Sequence, residues 1–466
     1  MLVAMVAALL LVTARGQSST RVSLLVTGGT VVTMDADRRV IPSGSVAIDG
    51  NRIVAVGNAD DIGRIYSSAK SIDARGQVVL PGLINAHTHA PMVLFRGLAD
   101  DMALMDWLND YIFPAEAKTV SPEFVRIGTR LAAVEMIESG TTTFADMYYF
   151  EDNIADAVHE AGLRAVLGQS VIRFPVADAK TPEEGLARAE RFIQRWRQDP
   201  LITPAVAPHA PYTVDPSTLK AVRALANRYN APVLIHLAET QEEVRTIQEA
   251  HHQSPTQFLE SLGFWQGRTL AAHAVYLEPA DIATLASRGV GLAHNPGSNM
   301  KLASGIAAVE KWLTAGVHTG LGTDGAASSN DLDMFEAMRL AALLHKVATG
   351  DPRTTSAPQV LEMATRGGAA ALGLSDRIGS LEPGKQADLI TVSMTGARQT
   401  PMFDPTSHLV YVAHGDDVRT TIVAGRVLMQ DRHVLTVDEG EVLRDARAMA
   451  ERVRRAVTPK DNAGGR

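Results

Sequence analysis

The chain has 466 residues, of which 46% are hydrophobic and 21% charged, and its net charge is −8. That is ample apolar material for a large core, and with no basic clusters it excludes an electrostatic nucleic-acid footprint. There is no cysteine, so disulfides, thiolate nucleophiles and Cys-ligated metals are excluded. Any metal must sit on His, Asp or Glu, a ligand set that suits zinc or iron.

The opening stretch, MLVAMVAALLLVTARGQSS, has an apolar run from Leu2 to Val12 that is too short to span a bilayer. It reads as the apolar segment of a signal peptide, and Ala14-Arg15-Gly16 meets a small-x-small cleavage rule. No Lys or Arg precedes the run. Residues 1–20 are therefore expected to be an export leader, with a misassigned start ahead of a cytoplasmic protein as the alternative. No stable membrane span is expected.

Residues 21–80 are strand-like: LLVTGGTVVTMD, GSVAIDGNRIVAVG and SIDARGQVVLPG are short β-branched runs parted by Gly, Asp and Asn turns. The same texture returns over 381–440, in KQADLITVSM and VRTTIVAGRVLMQDRHV. One small β-sandwich assembled from both chain ends is expected, followed by a helix and tail over 441–466. Between them, residues 81–380 alternate apolar strands with amphipathic helices. PGLINAHTH, TTTFADMY, RAVLGQSV, LITPAVAPHAP, APVLIHLAE, TLAAHAVYL, VGLAHNPGSN and GVHTGLGTDG read as buried parallel strands. PEFVRIGTRLAAVEMIESG and PSTLKAVRALANRYN read as intervening helices. The fold class expected is α/β, a (β/α)₈ barrel, with a doubly wound sheet as the alternative.

The barrel reading is favoured because chemically capable residues recur at strand ends. His87 and His89 in PGLINAHTH project to one face of an extended strand, with Thr88 opposite. His236 and Glu239 end LIHLAE, His273 ends LAAH, and Asp324 sits in LGTDG. His209 lies in APHAPY and His294 in LAHNPGSN. In a barrel these ends converge on one mouth.

The order His87-Thr88-His89, His236, His273, Asp324 resembles the amidohydrolase superfamily. WLNDYIFPAEAK, APHAPYTV, HLAET, NPGSNMKLASG and GTDGAASSNDLDMFEAMR resemble one branch of it, the methylthioadenosine/S-adenosylhomocysteine deaminases, relatives of triazine hydrolases and guanine deaminases. The resemblance runs from about Val22 onward and implies a distorted barrel with a two-part β domain. It implies that His87, His89, His236 and Asp324 bind one divalent metal per subunit, Zn²⁺ first and Fe²⁺ as the alternative. The stretch LITPAVAPHAPY has no Lys that could be carboxylated to bridge two metals, and Lys220 falls on the following helix, so a mononuclear site is expected.

On this resemblance Asp324 would also take a proton from the attacking water. Glu239 would carry a proton to a ring nitrogen, and His273 would orient the nucleophile or steady developing negative charge. Glu116 in PAEAK would accept hydrogen bonds from the ribose hydroxyls, since a carboxylate matches a diol. His209 would contact the nucleoside, and Arg173 in VIRFP the distal carboxylate of homocysteine. His294, Asn295 and Ser298 would border the mouth or support the metal, and Trp107 and Met105 would wall the apolar pocket. The expected reaction is hydrolytic deamination of an adenine nucleoside. The same site acting on a free base, a pterin or a triazine is the alternative, and a barrel that binds without catalysis is the third reading. The partner expected is a small purine nucleoside, not nucleic acid, and a homo-oligomer follows by analogy.

Overall fold

The computed structural model describes residues 19–457. The expected leader, apart from its last two residues, and the extreme C-terminal tail lie outside the described residues.

Eight parallel strands close a barrel. Numbered around it they are β1 (Leu83–Thr88), β2 (Thr141–Tyr148), β3 (Arg164–Val171), β4 (Ile202–Pro208), β5 (Val233–Leu237), β6 (Thr269–His273), β7 (Gly291–His294) and β8 (His318–Leu321). Strands β2 and β3 coincide with TTTFADMY and RAVLGQSV and are buried along their whole length, as expected of strands covered on both faces. Strand β5 is shorter than the apolar text APVLIHLAE. Pro232 before it offers no N–H, and Ala238 after it turns left-handed at φ 48°. Ile84, Ala86, Ala145, Met147, Val166, Ala205, Ala207, Leu234, Leu270 and Ala293 form one buried cluster contributed by seven of the eight strands. The barrel is thus packed with side chains and is not a pore.

The helices begin and end where the chain signals it. Pro122–Glu138 starts with a proline, and the Ser121 side chain accepts from the Phe124 amide. Pro216–Tyr229 stops at Asn230, whose φ of 50° leaves the helical region.

Both chain ends build one nine-stranded mixed sheet. Its seam joins Gln77–Pro81 to Leu389–Ser393 antiparallel, Pro81 opposite Leu389. Strands of residues 24–73 extend it on one side and Val418–Gln430 on the other. Val26, Val46, Ile48, Ile53, Val79, Leu389 and Ile422 share its core. The C-terminal helix spans Glu439–Val457. The sheet is tied to the barrel by Arg164 at the start of β3. Its Nε and Nη2 reach the two Asp388 carboxylate oxygens at 2.7 and 3.1 Å, both side chains being almost fully buried.

Candidate active site

All eight strands run the same way, so their C-terminal ends meet at one mouth. His87 comes from β1 and His89 directly follows it, His236 comes from β5, His273 from β6 and Asp324 from the turn after β8. Short links hold these ends in register. The Asp324 amide donates to the His87 carbonyl at 3.0 Å, and the Thr88 hydroxyl donates to the Asp324 carbonyl at 3.0 Å. Asn85 spans the same seam, donating to Thr323 Oγ1 at 2.7 Å and accepting from its amide at 3.1 Å. Gly322 is required here: a Cβ would lie 2.3 Å from Asn295 Oδ1 and 2.9 Å from the His87 backbone. His273 and Asp324 have φ of 71° and 65°, a strained region for non-glycine residues that recurs at functional sites.

The five side chains converge. His87 Nε2 and His89 Nε2 lie 3.4 and 3.3 Å from Asp324 Oδ1, and His236 Nε2 lies 3.3 Å from His89 Nε2. His273 Nε2 lies 3.9 Å from Asp324 Oδ2. Two overlapping triads have donor atoms within 4.8 Å of one another: His87, His89 and Asp324, and His87, His236 and His273.

The donor set fits a divalent metal. The Nδ1 of His89 pairs with the Met147 carbonyl at 2.7 Å and that of His236 with the His209 carbonyl at 2.8 Å. Each Nδ1–H is thereby committed to a backbone oxygen, which leaves Nε2 as a lone-pair donor aimed at the centre. His87 Nε2 is buried and has no hydrogen-bond partner. Burial holds the His87 imidazole down to about 4, and it lowers His89 and His236 as well, so all three favour the neutral form that a metal would require. Burial works to raise the Asp324 carboxyl, but His87 and the other imidazoles outweigh it and hold it well below the usual range. Ser298 and Ser328 donate to Asp324 Oδ2 at 2.7 and 2.9 Å, and the Gly325 amide donates to Oδ1 at 2.7 Å.

Glu239 is buried beside this centre, its Oε1 3.7 Å from His273 Nδ1. It precedes the N-cap Thr240 of the helix Gln241–His251 and is not part of the helix. Glu243 fixes the turn by accepting from the amides of Ala238 and Glu239 at 2.8 and 2.9 Å. Burial raises the Glu239 carboxyl, which suits a proton carrier. His273 Nδ1 lies 2.8 Å from Asn299 Oδ1. Burial disfavours its charge, yet Glu239 and Asp324 outweigh that and raise its pKa.

A cavity of about 660 Å³, counting its open mouth, leads out from these groups. Glu116 lines it and is buried, and the Tyr148 hydroxyl donates to its Oε1 at 2.7 Å. Burial pushes the Glu116 carboxyl up to about 7, against the hydrogen bonds of Tyr148 and Tyr149. His209 lines the cavity with its ring 4.8 Å from that of His236, and burial pulls it down to about 3. Trp107 lines it too, with Leu104 and Leu108 as helical neighbours, whereas Met105 does not line it.

Other candidates stand apart from the cavity. Arg173 is exposed and does not line it. His294 turns to His345, Nε2 to Nε2 at 3.0 Å, and does not line it either. Of the group around NPGSN, Ser298 supports Asp324, and the buried Asn295 is packed against Gly322. Tyr148, Ser328, Asn299 and Glu243 were not anticipated as site residues. All but Glu243 lie in quoted strand ends or motifs, which was the one available signal.

A closed parallel barrel with a histidine and carboxylate donor set at its C-terminal mouth defines a barrel hydrolase with a metal centre. Residues 78–428 match the model of the Amidohydrolase family, and the chain belongs to that family. It is 48% identical over 436 residues to a 5-methylthioadenosine/S-adenosylhomocysteine deaminase of Syntrophobacter fumaroxidans, covering 94% of this chain and 99% of that one. It is 46% identical over 435 residues to a 5'-deoxyadenosine deaminase of Methanosarcina acetivorans, covering 92% and 98%. Its fold superimposes on a zinc-bound adenosine deaminase from Xanthomonas campestris with a TM-score of 0.92, at 40% identity, covering 94% of this chain and 100% of that one. Among the described residues no helix is long and apolar enough to cross a membrane.

Proposed function

We infer that this protein is an aminohydrolase that deaminates a 5′-modified adenosine, such as 5′-methylthioadenosine or S-adenosylhomocysteine, to the inosine analogue and ammonia. The observation that carries this reading is the unpartnered His87 Nε2, buried among the ring nitrogens of His89 and His236 and the Asp324 carboxylate. These four residues would hold one Zn²⁺. Bound there, the metal would lower the pKa of a water from ~15.7 to about 7.

The side chains then divide the remaining work. Asp324, ionised and fixed by Ser298, Ser328 and Gly325, takes the proton of the attacking water. Glu239, whose carboxyl burial raises, gives a proton to the ring nitrogen next to the reacting carbon, which makes that carbon more open to attack. His273, oriented by Asn299, faces both carboxylates and steadies the charge that develops between them. Water has then added across the carbon–nitrogen bond; the amine takes the proton held by Asp324 and leaves as ammonia, while the new hydroxyl returns its proton to Glu239 as the carbonyl forms. Glu116, with one oxygen bonded to Tyr148, accepts from the ribose 2′- and 3′-hydroxyls.

The test is ammonia release by metal-loaded protein across 5′-methylthioadenosine, S-adenosylhomocysteine, adenosine, guanine and melamine, with metal analysis of the same sample. Turnover of the nucleosides alone supports the reading. Preference for guanine or melamine contradicts it.

A further inference from the structure

The relatives named above share nearly the same identity with this chain yet carry names that differ in the 5′ group, so identity leaves that group undecided. The cavity wall speaks to it. Apart from the imidazoles, its ionisable groups other than tyrosine are all carboxylates: Asp324, Glu239 and Glu116. No Lys or Arg among the described residues lines it. The remaining wall is apolar or neutral, including Leu104, Leu108, Phe113, Tyr212 and Leu302.

The loop after β3 shows how this arises. The Arg173 amide donates to the Thr213 carbonyl at 3.0 Å, and the Arg173 residue is exposed. Phe174, the next residue, packs edge-on against Phe113, ring centroids 5.5 Å apart at 68°. Phe113 lines the cavity with its ring 6.5 Å from that of His209. The loop backs the lining ring of Phe113 with Phe174 and leaves its cation, Arg173, to solvent.

We propose that this cavity selects uncharged 5′ substituents, hydrogen or a short thioether, over the amino-acid tail of S-adenosylhomocysteine. The proposal rests on the adenosine-deaminating reading above. A tail carboxylate entering the cavity loses hydration and meets no Lys or Arg side chain, and the carboxylate beside the ribose, Glu116, carries its own sign when ionised. The tail ammonium finds Glu116 already engaged by Tyr148 and the ribose hydroxyls. A thioether of equal length has neither problem and gains apolar contact.

The experiment compares kcat/KM for ammonia release from 5′-methylthioadenosine, 5′-butylthioadenosine and S-adenosylhomocysteine, using zinc-loaded protein and its Arg173→Ala variant. The butyl compound matches the length of the tail without its charges. The expected result is a preference of about tenfold or more for 5′-butylthioadenosine over S-adenosylhomocysteine, unchanged by Arg173→Ala. Equal or better turnover of S-adenosylhomocysteine overturns the proposal. So does a loss confined to that substrate in the variant, and so does an equally poor rate for the butyl compound, which would make length the determinant. Silence toward all three compounds overturns the deaminase reading and this selection with it.

Discussion

Glu116→Gln is the substitution whose effect can be worked out most fully. Glu116 is 7% exposed, and its Oε1 already accepts from Tyr148. An ionised carboxylate offers the ribose diol two acceptors, each hydrogen bond to a charged group contributing about 1.5–3 kcal/mol. Glutamine keeps one neutral acceptor and points an amide donor at the other hydroxyl. A net loss of about 2–3 kcal/mol follows, or about 30- to 150-fold in kcat/KM. The wild-type protein adds a pH signature. Burial holds the Glu116 carboxyl at about 7, and only the ionised form accepts from both hydroxyls. Affinity for the diol is therefore present above pH 7 and lost below it, by about tenfold between pH 8 and pH 6. The assay is kcat/KM against pH for adenosine and for 2′,3′-dideoxyadenosine, in wild type and variant. The dideoxy substrate cancels every pH effect that belongs to the metal centre. An equal loss on both substrates in the variant, or matching pH profiles in the wild type, would refute the assignment of Glu116 to the diol.

Two further outcomes follow from the same geometry. Ser298→Ala combined with Ser328→Ala strips both hydroxyl donors from Asp324 Oδ2; kcat is expected to fall about 10- to 100-fold, with metal content measured alongside to separate catalysis from binding. Arg164→Met leaves Asp388 buried without its guanidinium partner, which costs about 3–5 kcal/mol in urea unfolding, and Asp388→Leu in the same chain restores part of that.

Much of the barrel was legible because its signal is local. A strand buried on both faces must be apolar along its length, and β2 and β3 begin and end where the text does. The candidate metal donors were legible because each lies at or just past the end of a barrel strand, and a barrel brings strand ends together. What supports them was not legible, since those contacts join residues far apart in the chain. Asn299 reaches His273 across 26 positions, and Tyr148 reaches Glu116 across 32. Carbonyl partners such as Met147 and His209 carry no side-chain signature at all. Arg173 shows a different limit. Which of two adjacent loop residues turns inward depends on an aromatic partner, here Phe113 from a distant helix. The β domain was read as a sandwich from its strand texture; its continuity as one sheet depends on the pairing of Pro81 with Leu389, which no local pattern encodes.

The central claim is that His87, His89, His236 and Asp324, out of five converging side chains, hold a single ion. A zinc-edge anomalous difference map from a zinc-loaded crystal tests it most directly. The account predicts one peak per chain, about 2.0–2.2 Å from the three Nε2 atoms and one Asp324 oxygen, with His273 outside coordination distance. A peak held by His87, His236 and His273 without Asp324, a second peak in the same mouth, or no peak in protein that still releases ammonia would contradict it.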